Sequence, residues 1–287
     1  EFLQTSPYIG VCLMITEDHL DYHNNREDYS LAKQAITKFQ SPSNYAIFNI
    51  DYPASKQIGQ LGQGQKLAIT AMQSRAITNG VKNENETISV YKEGNLISSF
   101  DCSKRTLRGK HNFENMAAAI AVAKILNIED VVIQHTIKTF KGLEHRLQFV
   151  AEKNGVKFYN DSISTIPEPT LAALQSFTEP IVLMFGGRSK KVNYQSLYDL
   201  MSRLKNLKQI ICIGETGQEA YDYFKTTSIS HKLRGPFKDF TSAFNSAVES
   251  SNAGDVVILS PASTSFDMFN NYKDRGETFI KLVSQIE

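Results

Sequence analysis

The chain has 287 residues, 41% hydrophobic and 21% charged, enough for about two domains, which excludes a disordered, collagen-like or low-complexity protein. Lys and Arg number 31 against 30 Asp and Glu, a formal charge of +1, so no global field recruits nucleic acid or a membrane surface and an anionic partner has to be bound locally. Apolar runs such as 116–123 and 181–185 fall far short of the roughly 20 residues that cross a bilayer, so membrane insertion is not expected. Three scattered cysteines, Cys12, Cys102 and Cys212, suit neither a disulfide framework nor a zinc cluster and point to a reducing cytoplasm. Glu1 opens almost directly onto a strand-like run, so the chain is expected to start inside a larger protein.

In chain order, the hydrophobic pattern predicts a strand over 10–15, a helix over 26–39 and a strand over 45–50. Residues 66–100 read as strands, with a hairpin at Glu93-Gly94-Asn95, and helices follow at 112–126 and 131–140. Further on, strands at 156–159, 181–185, 210–213 and 256–259 alternate with helices at 168–177, 194–207, 218–226 and 240–251, before a closing helix over 268–286. Such alternation predicts a parallel sheet covered by helices in an α/β fold. A boundary near Lys141-Gly142-Leu143 divides the chain into 1–142 and 143–287.

Ligands of open α/β sheets sit outside the carboxyl ends of the strands. In the second half those ends read Asn160-Asp161-Ser162, Gly186-Gly187-Arg188-Ser189-Lys190, Gly214-Glu215-Thr216-Gly217 and 260–265, all small, polar or charged. Each alone is ordinary turn and helix-cap chemistry; together they can offer backbone N–H groups at helix starts to an anion.

In the first half, Thr16-Glu17-Asp18-His19-Leu20-Asp21 combines three acids with a histidine. That set can hold a hard divalent cation, or simply start a helix. Lys33, beside Ala32 and Ala35, has small neighbours that let it reach a site, or else is a solvated helix lysine. Asn112 can bind a ligand or cap the helix it precedes, and Arg146 in Leu143-Glu144-His145-Arg146 can bridge a nucleotide or form a surface ion pair. Gly59-Gln60-Leu61-Gly62-Gln63-Gly64 has the wrong spacing and the wrong following element for a dinucleotide fingerprint and reads as a loop. No GxxxxGK[ST], GxSxG or HExxH occurs.

Taken together these segments resemble the Mur ligase family, and within it the glutamate-adding branch. Thr16 to Asp21 is similar to the family's EDHxD box, Ala32-Lys33 to its AK pair, and His111-Asn112-Phe113-Glu114-Asn115 to HNxxN. The segment 143–146 is similar to GLxHR, Asn160-Asp161-Ser162 to NDS, and 259–269 with Tyr272 and Arg275-Gly276 to the LSPAxxSxDxF form of that branch. The resemblance implies a partial central ATPase domain, without the phosphate loop, followed by a Rossmann-like, doubly wound C-terminal domain that binds glutamate. The UDP-sugar domain and phosphate loop would lie upstream. It implies an ATP-dependent ligase of cell-wall synthesis that joins glutamate to UDP-N-acetylmuramoyl-L-alanine through an acyl phosphate, with ATP and magnesium, as a monomer when complete.

The same resemblance makes His19 a magnesium ligand and Lys33 a carbamylated one. Asn112, Asn115, Arg146 and Asp161 would hold the nucleotide, and Thr165, Lys190, Ser265 and Tyr272 the glutamate. Where the branch commonly reads NDSKAT, this chain has Ile163 in place of the lysine, so Lys190 is the matching cation that remains and the preferred stereoisomer is open. The alternatives are another ligase of the superfamily, a folylpolyglutamate synthase-like one among them, or a non-catalytic module that binds a nucleotide or amino acid.

Overall fold

A computed structural model describes residues 4–15, 26–72 and 74–287. The chain falls into two compact units, one formed by residues up to Thr106 with Lys110–Phe140, the other by Leu107–Gly109 with Lys141–Glu287.

The first unit runs β1 (Ile9–Cys12), α1 (Arg26–Lys38), β2 (Tyr45–Asn49), α2 (Pro53–Gly59), β3 (Gln65–Thr70), β4 (Gly80–Glu84), β5 (Thr87–Lys92), β6 (Asn95–Asp101), α3 (His111–Ile125) and α4 (Asp130–Thr139). Its sheet keeps sequence order, parallel from β1 to β4 and antiparallel from β4 to β6. Glu93 and Gly94, at φ 52° and 79°, make the two-residue turn between β5 and β6, whose left-handed backbone matches the twist of a hairpin. The short α2 lies outside the sequence reading. Pro53 starts it, Ile58 is its buried anchor, and a Cβ on Gly59 would meet the Phe48 ring at 2.0 Å, so only glycine lets the helix close onto β2. Residues 60–64 then form a loop into β3, in keeping with the reading of the glycine run.

The second unit runs β7 (Gln148–Lys153), β8 (Val156–Asn160), α5 (Pro167–Leu174), β9 (Ile181–Gly186), α6 (Gln195–Arg203), β10 (Leu207–Ile213), α7 (Gly214–Phe224), β11 (Leu233–Phe237), α8 (Phe240–Glu249), β12 (Val256–Leu259) and α9 (Tyr272–Ser284). The sheet order is β11-β10-β9-β12-β8-β7, parallel except for β7. One face buries α5, α6 and α7 around Leu183, Phe185 and Phe224; the other buries α8 and α9 around Met184, Phe244 and Phe279. Every residue of β9 and β12 is buried, as expected of strands covered on both sides.

Both edge strands escape the sequence reading. β7 has only half-buried and exposed positions, and β11 carries Arg234-Gly235-Pro236, tolerated because an edge strand leaves one row of N–H groups unpaired. Two boundaries also move. Gly214-Glu215-Thr216-Gly217, placed between the strand and a helix from 218, forms the first turn of α7. The closing helix starts at Tyr272 rather than 268, because the Asn271 side chain caps it by accepting from Lys273 N and Asp274 N at 2.9 and 3.1 Å.

Candidate active site

Strand β12 is inserted between β9 and β8, so α5 leaves β8 toward one face while α9 follows β12 on the other. The loops at these carboxyl ends therefore part and form a crevice, where α/β sheets bind ligands. Three of the polar segments singled out in the sequence converge there.

Buried polar groups weld them together. Asp161, 2% exposed, accepts from Leu147 N at 3.0 Å through Oδ1, and from the Ser164 and Ser260 hydroxyls at 2.5 and 2.7 Å through Oδ2. Burial pushes its carboxyl up to about 6, against the pull of those hydroxyls. The Ser260 hydroxyl also bonds the Thr170 hydroxyl on α5 at 2.9 Å. From α9, Arg275 donates through Nε to Ser162 Oγ at 2.9 Å, through Nη2 to the carbonyls of Ser162 and Ser263 at 2.9 and 3.0 Å, and through Nη1 to Thr264 O at 3.2 Å. Arg188 N adds a 3.0 Å bond to Thr264 O, and Tyr194 Oη holds Ala262 O at 2.9 Å.

The expected amino-acid residues sit on this frame. Lys190 Nζ lies 3.4 Å from Thr165 Oγ1, bringing two of the four together. Ser265 is buried directly after the segment held by Arg275, and Tyr272, one turn before Arg275, accepts on its carbonyl from Ser162 Oγ at 2.8 Å. Two acids border the frame: Glu215 accepts from Ser189 N at 3.0 Å, and Asp267 has its carboxyl pushed up by burial.

Next to this, His145 is buried with φ 62°, its Nδ1 3.0 Å from Asn160 Nδ2 and its ring edge-on to Tyr272. A Cβ on Gly276 would lie 2.3 Å from that Nδ1, so the glycine after Arg275 is what admits the imidazole. Arg146 is exposed, and its charge acts on Asp161.

In the first unit, α3 opens with the pair Asn112 and Asn115, whose amides bond to each other at 3.0 Å. The cap position is Lys110, so Asn112 lies within the first turn and is not the N-cap. Between the two asparagines, Glu114 accepts from the Tyr52 hydroxyl at 3.0 Å. Burial raises the Glu114 carboxyl and, together with the Glu114 charge, pushes the Tyr52 phenol up to about 12. Beside Tyr52, a cavity of about 420 Å³ is lined by Asp51, Lys56 and Arg75 among others. Lys33 is exposed on α1, and its charge is felt by the Cys12 thiol at the end of β1. His19 and the rest of Thr16–Asp21 lie outside the described residues, among which no group of three His, Cys, Asp or Glu is placed to hold a metal. No described helix is long and apolar enough to cross a membrane.

The sequence gives no role to Arg275 or to the Ser162, Ser164 and Ser260 hydroxyls. An arginine spaced like any solvent-facing helix residue carries no local sign of burial; only its place behind a polar loop, next to a glycine, hints at it.

Two family models match the chain: the Mur ligase middle domain over residues 1–123 and the Mur ligase glutamate ligase domain over 145–263. Curated relatives include the UDP-N-acetylmuramoylalanine--D-glutamate ligases of Desulfitobacterium hafniense, 35% identical over 96% of this chain and 59% of the relative, and of Latilactobacillus sakei, 35% identical over 98% and 60%. Solved structures with the same fold include MurF from Acinetobacter baumannii (TM-score 0.68, 18% identity, covering 98% of this chain and 61% of that one). MurC from Thermotoga maritima is another (TM-score 0.67, 16% identity, 98% and 61%). The chain therefore belongs to the Mur ligase family. It spans about 60% of the length of the curated relatives it matches.

Proposed function

We propose that this chain is the ATP-handling and amino-acid-handling part of a ligase that joins glutamate to UDP-N-acetylmuramoyl-L-alanine. The observation that carries the reading is Lys190 beside Thr165 on a crevice whose loops are fixed from beneath by Asp161 and Arg275. A cation next to a hydroxyl, held on rigid supports, suits a carboxylate entering a partly desolvated pocket. The curated relatives carry a D-glutamate ligase name at 35% identity, which supports glutamate as that carboxylate.

In this reading the carboxylate of the UDP-sugar substrate attacks the γ-phosphorus of ATP and ADP leaves. The glutamate amine then attacks the acyl phosphate, and phosphate departs from the tetrahedral intermediate. Lys190, Thr165, Ser265 and Tyr272 hold the amino acid so that its amine meets the acyl carbon, a gain of orientation rather than of new chemistry. The paired amides of Asn112 and Asn115 offer donor and acceptor chemistry suited to a purine edge, and the exposed Arg146 offers a cation suited to a phosphate or ribose. His19 and a carbamylated Lys33 would hold magnesium, which would supply neutralisation of the phosphoryl charge.

The test is ADP release by the full-length protein that carries this chain. Release is expected only when ATP, UDP-N-acetylmuramoyl-L-alanine and glutamate are all present. Release unaffected by omitting glutamate, or obtained with a folate acceptor instead, contradicts the reading.

A further inference from the structure

Arg275 is 2% exposed, yet no carboxylate among the described residues pairs with it; its four hydrogen bonds all go to a hydroxyl and to carbonyl oxygens. A buried guanidinium is costly unless its charge is met by an anion. Burial draws its pKa down to about 10, with Asp267 opposing, so it stays charged at neutral pH. Its Nη1 also lies 3.2 Å from where a Cβ on Gly187 would be, the same Cβ that would meet Thr264 O at 2.3 Å. One side chain thus bonds two loops of the crevice, at Ser162 after β8 and at Ser263 and Thr264 after β12, and fills the space that a side chain on Gly187 after β9 would need.

We propose that Arg275 is a positioning residue that sets the shape of the amino-acid crevice and supplies it with a fixed positive charge bonded to no carboxylate, so that the crevice favours an acceptor bearing an extra carboxylate. This rests on the proposed ligase function. The guanidinium need not touch the acceptor. It holds the carbonyls of Ser162, Ser263 and Thr264 inward, which fixes Ser265 and, through Ser162 and the Tyr272 carbonyl, the start of α9. Its charge has the same sign as that of the exposed Lys190 on the neighbouring loop. Arginine suits both tasks, since its planar fork can serve several carbonyls at once and does not lose its proton.

The experiment is steady-state kinetics on the full-length protein with Arg275→Met, Arg275→Lys and Ser162→Ala. Arg275→Met is expected to raise the KM for glutamate at least tenfold, to leave the KM for ATP within about twofold, and to narrow the preference for glutamate over its uncharged analogue glutamine. Arg275→Lys keeps the charge but loses the fork, so it should retain the glutamate-over-glutamine preference while its kcat falls. Ser162→Ala, which removes only the Nε acceptor, should raise the glutamate KM several-fold and serves as the test should Arg275→Met fail to fold. An unchanged glutamate KM in a folded Arg275→Met or in Ser162→Ala overturns the proposal, as does an equal rise in the KM values for glutamate and ATP. Wild-type protein that ligates no glutamate overturns the functional reading itself, an outcome distinct from those two.

Discussion

The Ser260 hydroxyl donates a 2.7 Å hydrogen bond to the Asp161 carboxylate, so the residues that directly follow two neighbouring strands, β8 and β12, are joined across the mouth of the crevice. Both partners are buried, and Ser260 also bonds Thr170 on α5. Ser260→Ala would strip one donor from a buried carboxylate and the partner from a buried threonine. A loss of about 1–3 kcal/mol is expected, read as a lower urea midpoint with an unchanged slope.

Asp161 also makes stability depend on pH. Its carboxyl stands at about 6 against an ordinary 3.8 because burial penalises the ionised form. As pH rises, the unfolded chain loses this proton first. The contribution of Asp161 is therefore complete below about pH 4 and fades as pH climbs through 6, by roughly 3 kcal/mol for a shift of this size. Asp161→Asn should flatten that part of the profile. Denaturation midpoints taken between pH 4 and 7 check this, and equal slopes for both proteins would refute it.

Lys190 is exposed and its amine is 3.4 Å from Thr165, so it contributes little to folding. Lys190→Ala is expected to leave the melting temperature within about 2 °C, since surface substitutions cost within about 0.5 kcal/mol, while raising the glutamate KM by at least tenfold. Lys190→Arg should restore part of the affinity. A glutamate kcat/KM unchanged in Lys190→Ala would remove this residue from the pocket.

Arg108 belongs by its contacts to the second unit. It makes bonds of 3.1 and 3.0 Å to the Glu179 carboxylate and lies over the rings of Tyr159 and Phe177 at 5.2 and 5.0 Å. Burial pushes Glu179 up, but the Arg108 bonds outweigh it and hold the carboxyl at about 2, below its ordinary 4.5. Its stabilising share is present above pH 4.5 and is lost as pH falls toward 2. Arg108→Ala should cost about 1–2 kcal/mol at pH 7, allowing for solvent screening and counting the lost stacking, and less at pH 3. Thermal melts of both proteins at the two pH values check it.

Much of this was legible in the residues. Among the interior strands of the second unit, β9 and β12 are unbroken runs without a charged residue and β10 ends in one over 210–213, because both faces are covered there, and such runs stand out in any sequence. Edge strands β7 and β11 do not, since half-exposed positions and a proline look like loop. Lys190 was readable as a polar residue at a strand end, and Thr165 through the resemblance to the family. Arg275 was not, because its function depends on burial, and burial is decided by how α9 packs under three loops distant in sequence. The start of that helix, likewise, hangs on the Asn271 cap rather than on the apolar spacing of Met268 and Phe269.

The central claim, that the crevice of the second unit takes glutamate, is tested most directly by offering the full-length protein ATP, magnesium and UDP-N-acetylmuramoyl-L-alanine with D-glutamate, L-glutamate, L-lysine or L-alanine in competition, and identifying the product by mass. The product is expected to carry a single added glutamyl residue, with lysine and alanine untouched. A product carrying lysine or alanine in its place would contradict the account.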